Sequence, residues 1–182
     1  MNLYFIAILP PPELREKVRS LKCEMRDKYG ASHALKAPAH LTLFMPFRRE
    51  KKEEKLMAES LKGFSEKQSP FPIELNGFDH FSNRVIFIRI ADHTPLIELR
   101  NALVPVVEKE LSFSPAETGE RFHPHLTIAT RDLSPDAFSQ AWPDFRERPF
   151  SDRFQASGIS MLKHNGKYWD VFQNFAFKVQ GK

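Results

Sequence analysis

The sequence predicts an α+β protein with mainly antiparallel strands, folded as one bilobal unit over residues 1–182. Three observations carry the prediction. Short β-rich runs alternate with amphipathic helical runs, the pattern repeats at an offset of 85 residues, and the chain closes on a hairpin signal. A chain of this length makes one substantial domain or two small lobes sharing an interface. With 41% hydrophobic residues, 17 phenylalanines and 27% charged residues, it has material for a core and a charged surface. That excludes a disordered or fibrous chain.

The first run, Leu3-Tyr4-Phe5-Ile6-Ala7-Ile8-Leu9, lacks a basic leader and is cut off by Pro10-Pro11-Pro12, so it reads as a buried strand and not as a signal sequence. Pro12 opens a helix with Leu14, Val18, Leu21 and Met25 on one face and Arg15, Lys17, Arg19 and Lys22 largely elsewhere, ending near Gly30. After a loop from Ala31 to Ala39, His40 to Phe44 form an apolar strand stopped at Pro46. The mixed-charge run from Arg48 to Lys55 reads as a solvated face, with Lys51 and Lys55 in helical reach of Glu54 and Glu59. It leads into a helix carrying Leu56, Met57, Leu61 and Phe64. Phe71 to Leu75 and Val85 to Ile90 have strand composition, with turns at Asn76-Gly77 and Ser82-Asn83. A helical stretch from Pro95 to about Leu111 contains Pro105, which calls for a kink or an earlier end. Ser134-Pro135-Asp136 starts a helix that includes Phe138 and Trp142. Strands from Phe154 to Met161 and from Tyr168 to Val179 flank a turn over Lys163 to Lys167, where Asn165-Gly166 is a hairpin signal.

A net charge of +4 and a pI near 9.2 favour anionic ligands without selecting one. Cys23, the single cysteine, has no partner for a disulfide or a metal site, and a reduced, cytoplasmic setting follows. No stretch approaches the roughly 20 apolar residues of a membrane span, so no membrane partner is expected.

Sliding the sequence by 85 positions superposes Pro10 on Pro95, Glu13-Leu14-Arg15 on Glu98-Leu99-Arg100, and Val18 on Leu103. It also superposes His40-Leu41-Thr42-Leu43 on His125-Leu126-Thr127-Ile128, and Lys36 on Arg121, each four positions before its histidine. One offset that serves a helix and a strand together points to two copies of a strand–helix–strand unit. In each strand the histidine and threonine share a face while the flanking apolar residues point to a core. A pseudo-twofold between the halves would then line one cleft with two imidazoles and two hydroxyls. Shuffling seven histidines and five threonines over the chain yields about 0.2 His-x-Thr occurrences by chance. One such histidine alone is more simply a strand residue satisfied by local hydrogen bonds; the matched pair is what points to chemistry. Opening a cyclic phosphodiester needs one group to deprotonate water and another to protonate the leaving alkoxide, and histidine does both near neutral pH.

The paired motif resembles the two-histidine (2H) phosphoesterase superfamily, and within it the bacterial and archaeal 2′-5′ RNA ligase/cyclic phosphodiesterase group. That family's signature is two His-x-Thr/Ser-x motifs, with x hydrophobic, one in each half. Phe122-His123-Pro124 before the second motif and the closing hairpin with Gly166 and Tyr168 extend the resemblance over nearly the whole chain. The resemblance implies two pseudo-twofold-related antiparallel sheets with helices outside and a central cleft, and no metal. No cofactor is expected, and a monomer is the default expectation, although the sequence does not fix the oligomeric state. It implies activity on RNA ends or nucleotides bearing a 2′,3′-cyclic phosphate or a 2′-linked phosphodiester. His125 would be the base and His40 the acid for the leaving 3′ oxygen, giving a 2′-phosphate, a division of labour the residues leave open to reversal.

Thr42 and Thr127 would donate hydrogen bonds to the non-bridging oxygens, where charge grows as phosphorus becomes pentacoordinate. Arg131, Lys36 and Arg121 could add positive charge, although the family's basic residue comes five positions after the second histidine, where Thr130 stands here. Tyr168 could hydrogen-bond the phosphate or lie beside a base. Phe44 or Phe47 could stack on one, with core packing the better reading. His123 and His125 make a His-x-His pair with no third ligand at a useful spacing, so no metal site is expected. His33, His80, His93 and His164 sit in turn-rich stretches and read as solvated. Hydrolysis of a cyclic phosphate, reversible 2′-5′ joining of RNA ends, and a nucleotide- or RNA-binding module without turnover all remain compatible with the sequence.

Overall fold

In the computed structural model, which describes residues 1–119 and 121–178, the chain begins with β1 (Asn2–Ile8), α1 (Pro12–Tyr29), β2 (Leu41–Arg49), α2 (Glu54–Ser65), β3 (Phe71–Phe81) and β4 (Val85–Ile90). It continues through α3 (Thr94–Leu111), the single turn α4 (Pro115–Thr118), β5 (Leu126–Ala129), α5 (Pro135–Glu147), β6 (Ser151–Ala156), β7 (Gly158–His164) and β8 (Trp169–Ala176). Short 3-10 turns over His33–Lys36 and Lys51–Glu53 precede β2 and α2. The fold class is the α+β architecture of antiparallel strands that the sequence predicts.

The strands form two four-stranded halves, β6-β3-β4-β5 and β2-β1-β7-β8, antiparallel throughout. They join into one eight-stranded sheet where Leu41 of β2 pairs with Leu126 of β5. These two residues are 85 positions apart, so the strands matched by the sequence offset are the two innermost ones. Strands β1 and β4 lie next to them, in equivalent places. Helix α1 packs against β5 and α5, α2 against α3 and onto β7 and β8, and α5 onto β3.

β1 is apolar from Leu3 to Ile8 because both of its faces are covered. Tyr4, Ile6 and Ile8 enter the main core, while Phe5 and Ala7 pack with Leu162, Leu9 and Trp169 on the opposite face. Full burial of side chains such as Tyr4, Phe44, Phe87 and Phe145 contributes on the order of 1.5–3 kcal/mol each. Charged groups tie the layers. Arg100, only 7% exposed, donates from Nε to the Leu43 carbonyl at 3.1 Å and reaches the Thr118 carbonyl, linking α3 to β2. Arg49 pairs with Glu117 at 2.7 Å with its guanidinium 4.6 Å from the Phe113 ring centre.

Several local expectations change. β2 runs on through Pro46 to Arg49, because the register against β1 slips by one residue between Phe44 and Phe47. A proline without an N–H is tolerated at such a bulge. Asn76-Gly77 is likewise a bulge within β3, where Gly77 takes φ 67° and the register against β4 shifts, while the chain reverses near Ser82. α3 passes through Pro105 to Leu111, with Leu103 and Val107 buried on either side of the proline. Glu54 is not a surface partner of Lys51: it accepts from the Tyr4 hydroxyl at 2.6 Å and pairs with Lys163 at 2.7 Å. Phe154 to Met161 is two strands, β6 on one half and β7 on the other, broken at Ser157. The last strand closes at Ala176, and the expected end at Val179 lies outside the described residues.

After that break the chain needs a residue without a side chain, because a Cβ on Gly158 would lie 2.5 Å from the Phe175 carbonyl oxygen of β8. Gly158→Ala is therefore expected to lower the unfolding free energy by about 1–3 kcal/mol, read from the urea midpoint. Gly63→Ala, within α2 and with nothing inside 4 Å, should be neutral or stabilising.

Candidate active site

The two His-x-Thr segments enter the sheet side by side. Leu41, Leu43, Leu126 and Ile128 are each 2% exposed or less and anchor their strands in the core. The alternation of a strand turns Thr42 and Thr127, with His40 and His125 just before each strand, to the opposite face. All four polar residues are half-buried and line one cleft of about 250 Å³ where the halves meet.

The two rings are held in the same way. His40 Nδ1 lies 2.7 Å from the Pro38 carbonyl and His125 Nδ1 lies 2.7 Å from the His123 carbonyl, each two residues upstream. A carbonyl only accepts, so Nδ1 carries the proton in both rings and Nε2 is the nitrogen left for chemistry. Aromatic neighbours fix the ring planes: Phe5 stands 4.8 Å from His40, and Phe81 and Phe87 each stand 4.9 Å from His125.

Burial is the main reason that both imidazoles hold protons weakly. His40 is pushed down to about 4 by desolvation and then by the charge of Lys22, with the Pro38 hydrogen bond opposing. His125 is lowered by desolvation and then by the charges of His123 and His93, with the His123 carbonyl opposing.

Of the other candidates, Lys36 and Arg131 line the cleft, Arg131 from a left-handed backbone conformation at φ 60°. Arg121 is exposed and outside it, because the segment before β5 lacks the counterpart of the 3-10 turn that carries Lys36. Tyr168 borders an adjoining groove, and Trp169 reaches the cleft wall instead. Phe44 and Phe47 are core residues at 1% and 3% exposure. His33, His80, His93 and His164 are half-buried, not solvated. His33 lines the cleft, and His80 packs against Phe138 and Trp142. Among the described residues, no three His, Cys, Asp or Glu side chains gather as a metal site, and no helix is long and apolar enough to cross a membrane.

Two contributors were not foreseen. Lys22, 3% exposed, donates to the Ala37 carbonyl at 3.0 Å and borders the cleft beside His40. Its signal was its place four residues after Val18 and three before Met25, on the apolar face of α1. Asp132 accepts from the backbone N–H groups of Ser32 and His33, both at 2.9 Å, and pins the loop before His40 to the loop after β5. Nothing in the local sequence marks a contact across that distance.

The model of the 2′-5′ RNA ligase superfamily matches residues 10–167. A provisionally named phosphoesterase of Geobacillus kaustophilus (strain HTA426) is 24% identical over 176 residues, 94% of each chain. TT0787 of Thermus thermophilus superposes with a TM-score of 0.72 at 22% identity, covering 100% of both chains. E. coli LigT complexed with 3′-AMP superposes with a TM-score of 0.66 at 18% identity, covering 97% of this chain and 98% of that one, and LigT has also been solved with ATP and with NADP+.

The depressed proton affinity of His40 has a consequence for stability. The ring titrates near 6.5 in the unfolded chain and near 4 in the folded one, so the unfolded chain binds more protons between those values and stability rises with pH there. The contribution is complete above about 6.5 and is lost as the pH falls towards 4. His40→Gln should give a shallower dependence of unfolding free energy on pH across that window, measured by urea titration at each pH.

Proposed function

The chain belongs to the 2′-5′ RNA ligase superfamily, and from that premise we propose that it is a metal-independent 2′,3′-cyclic phosphodiesterase acting on RNA ends or cyclic nucleotides. The observation that supports this reading best is the matched tethering of His40 and His125, which leaves two Nε2 atoms in one cleft with the hydroxyls of Thr42 and Thr127. Binding alone does not call for two free imidazole nitrogens.

In this reading one imidazole takes a proton from water as its oxygen attacks phosphorus, the P–O3′ bond breaks, and the other imidazole protonates the leaving 3′ oxygen, leaving a 2′-phosphate. Thr42 and Thr127 donate to the non-bridging oxygens, whose charge is greatest in the transition state. Lys36 and Arg131 add positive charge at the rim, and Arg121 has no part. The family's name favours one variation, in which the 5′-hydroxyl of a second RNA takes the place of water, attacks phosphorus as the P–O3′ bond breaks and forms a 2′-5′ linkage through the same groups; attack of the freed 3′-hydroxyl on that linkage is the reverse step. A cytoplasmic setting, where Cys23 stays a free thiol, fits the substrate.

A nucleoside 2′,3′-cyclic phosphate assayed with chelator present is expected to be converted to the 2′-phosphate. His40→Ala and His125→Ala should each lower kcat by about 10²–10⁴-fold, and Thr42→Ala or Thr127→Ala by about 10²-fold. Loss of turnover on chelation, or a wild type that binds without turnover, would overturn the reading.

The pH dependence of kcat/KM follows from the same groups. Activity needs one proton on the pair, so it falls at low pH when both rings are protonated and at high pH when both are neutral. Both rings are depressed, which places the maximum below 6.5. Lys22→Met removes a charge that opposes the His40 imidazolium, so the lower limb should move towards neutral pH.

A further inference from the structure

Beside the cleft lies a second groove of about 410 Å³, formed by α1, the segment leading to His40 and the closing hairpin. Lys22, Lys36 and Trp169 border both cavities, so the two adjoin. The groove is strongly basic: Arg15, Arg19 and Lys22 project from one face of α1 at spacings of four and three residues, and Lys36 faces them. Glu16 is the one acid on its wall, with Arg19 3.9 Å from it.

Two of these cations carry unused donors in buried positions. Arg15 Nε is buried with no hydrogen-bond partner among the described residues. Lys22 is 3% exposed and makes a single hydrogen bond among them, to the Ala37 carbonyl, although an ammonium has three donors. Buried donors without acceptors are costly, and a phosphate oxygen would satisfy them with charge-assisted bonds. Tyr168, 44% exposed at the rim, offers a face on which a base can stack.

Building on the phosphodiesterase reading, we propose that this groove is a second anion subsite, which holds a phosphate of the ligand other than the one placed between His40 and His125. The preferred substrate is then a cyclic phosphate that carries a further phosphate group, and not a nucleoside 2′,3′-cyclic phosphate alone. The further group is either the next linkage of an RNA chain or a diphosphate that joins a nucleoside to a second ribose.

The test compares wild type, Arg15→Gln and Arg19→Gln on three substrates: a nucleoside 2′,3′-cyclic phosphate, an RNA trinucleotide ending in a 2′,3′-cyclic phosphate, and ADP-ribose cyclic phosphate. The expected result is a higher wild-type kcat/KM on one of the two larger substrates, and that substrate identifies the source of the second phosphate. Each variant should raise KM for it about tenfold with kcat unchanged, and leave the mononucleotide unaffected. Arg19 is exposed, so its variant reports on the subsite even if Arg15→Gln lowers the melting temperature. Equal losses on all three substrates, or no loss on any, would overturn the subsite while leaving the phosphodiesterase reading intact. A wild type inactive on all three would overturn both.

Discussion

Leu41 opposite Leu126 is the contact on which the arrangement of the molecule depends. It joins two four-stranded halves at their inner strands, and because each leucine follows its histidine directly, it also fixes where the two imidazoles stand. Strand pairing is specified by burial: a slip of one residue in β2 or β5 would turn the leucines out of the core and the threonines into it. The same side chains that stabilise the sheet therefore keep the cleft polar. The tie from Asp132 to the backbone of Ser32 and His33 closes the arrangement at its rim, holding the loops of both halves in one relation.

That geometry sets the chemistry through desolvation. Placing two histidines between apolar strands, against Phe5 on one side and Phe81 and Phe87 on the other, favours their neutral forms. Neutral imidazoles with Nδ1 committed to a carbonyl are ready acceptors at Nε2. The positive charge around them is carried by Lys22, Lys36 and Arg131, which line the same cleft. Lys22 is itself lowered to about 8 by burial, so it keeps its charge near neutral pH while opposing a proton on His40.

The alternating helices and strands, the hairpin at Asn165-Gly166 and the two His-x-Thr faces were legible in the sequence, because each is a local pattern with a period or a turn residue behind it. The departures share a cause, which is that tertiary contact overrode the local signal. Pro46 and Asn76-Gly77 looked like strand ends, but neighbouring strands absorbed them as bulges. The run from Phe154 to Met161 looked continuous because nothing around Ser157 announces that the chain changes partner from β3 to β1. Within the cleft, the shared faces of the threonines and histidines were readable from alternation, and their pairing from the 85-residue offset. Lys22 was hidden by its charge, since a lysine on a helix is usually solvated, and Trp169 takes the place at the cleft wall that was expected of Tyr168.

The central claim is that His40 and His125 act on one shared phosphate, and an NMR titration of the two imidazoles with and without inorganic phosphate tests it most directly. Without phosphate, both rings should titrate below 6.5. Added phosphate should raise both together, over the same concentration range. A shift confined to one ring, or two shifts that saturate at clearly different phosphate concentrations, would contradict a shared site.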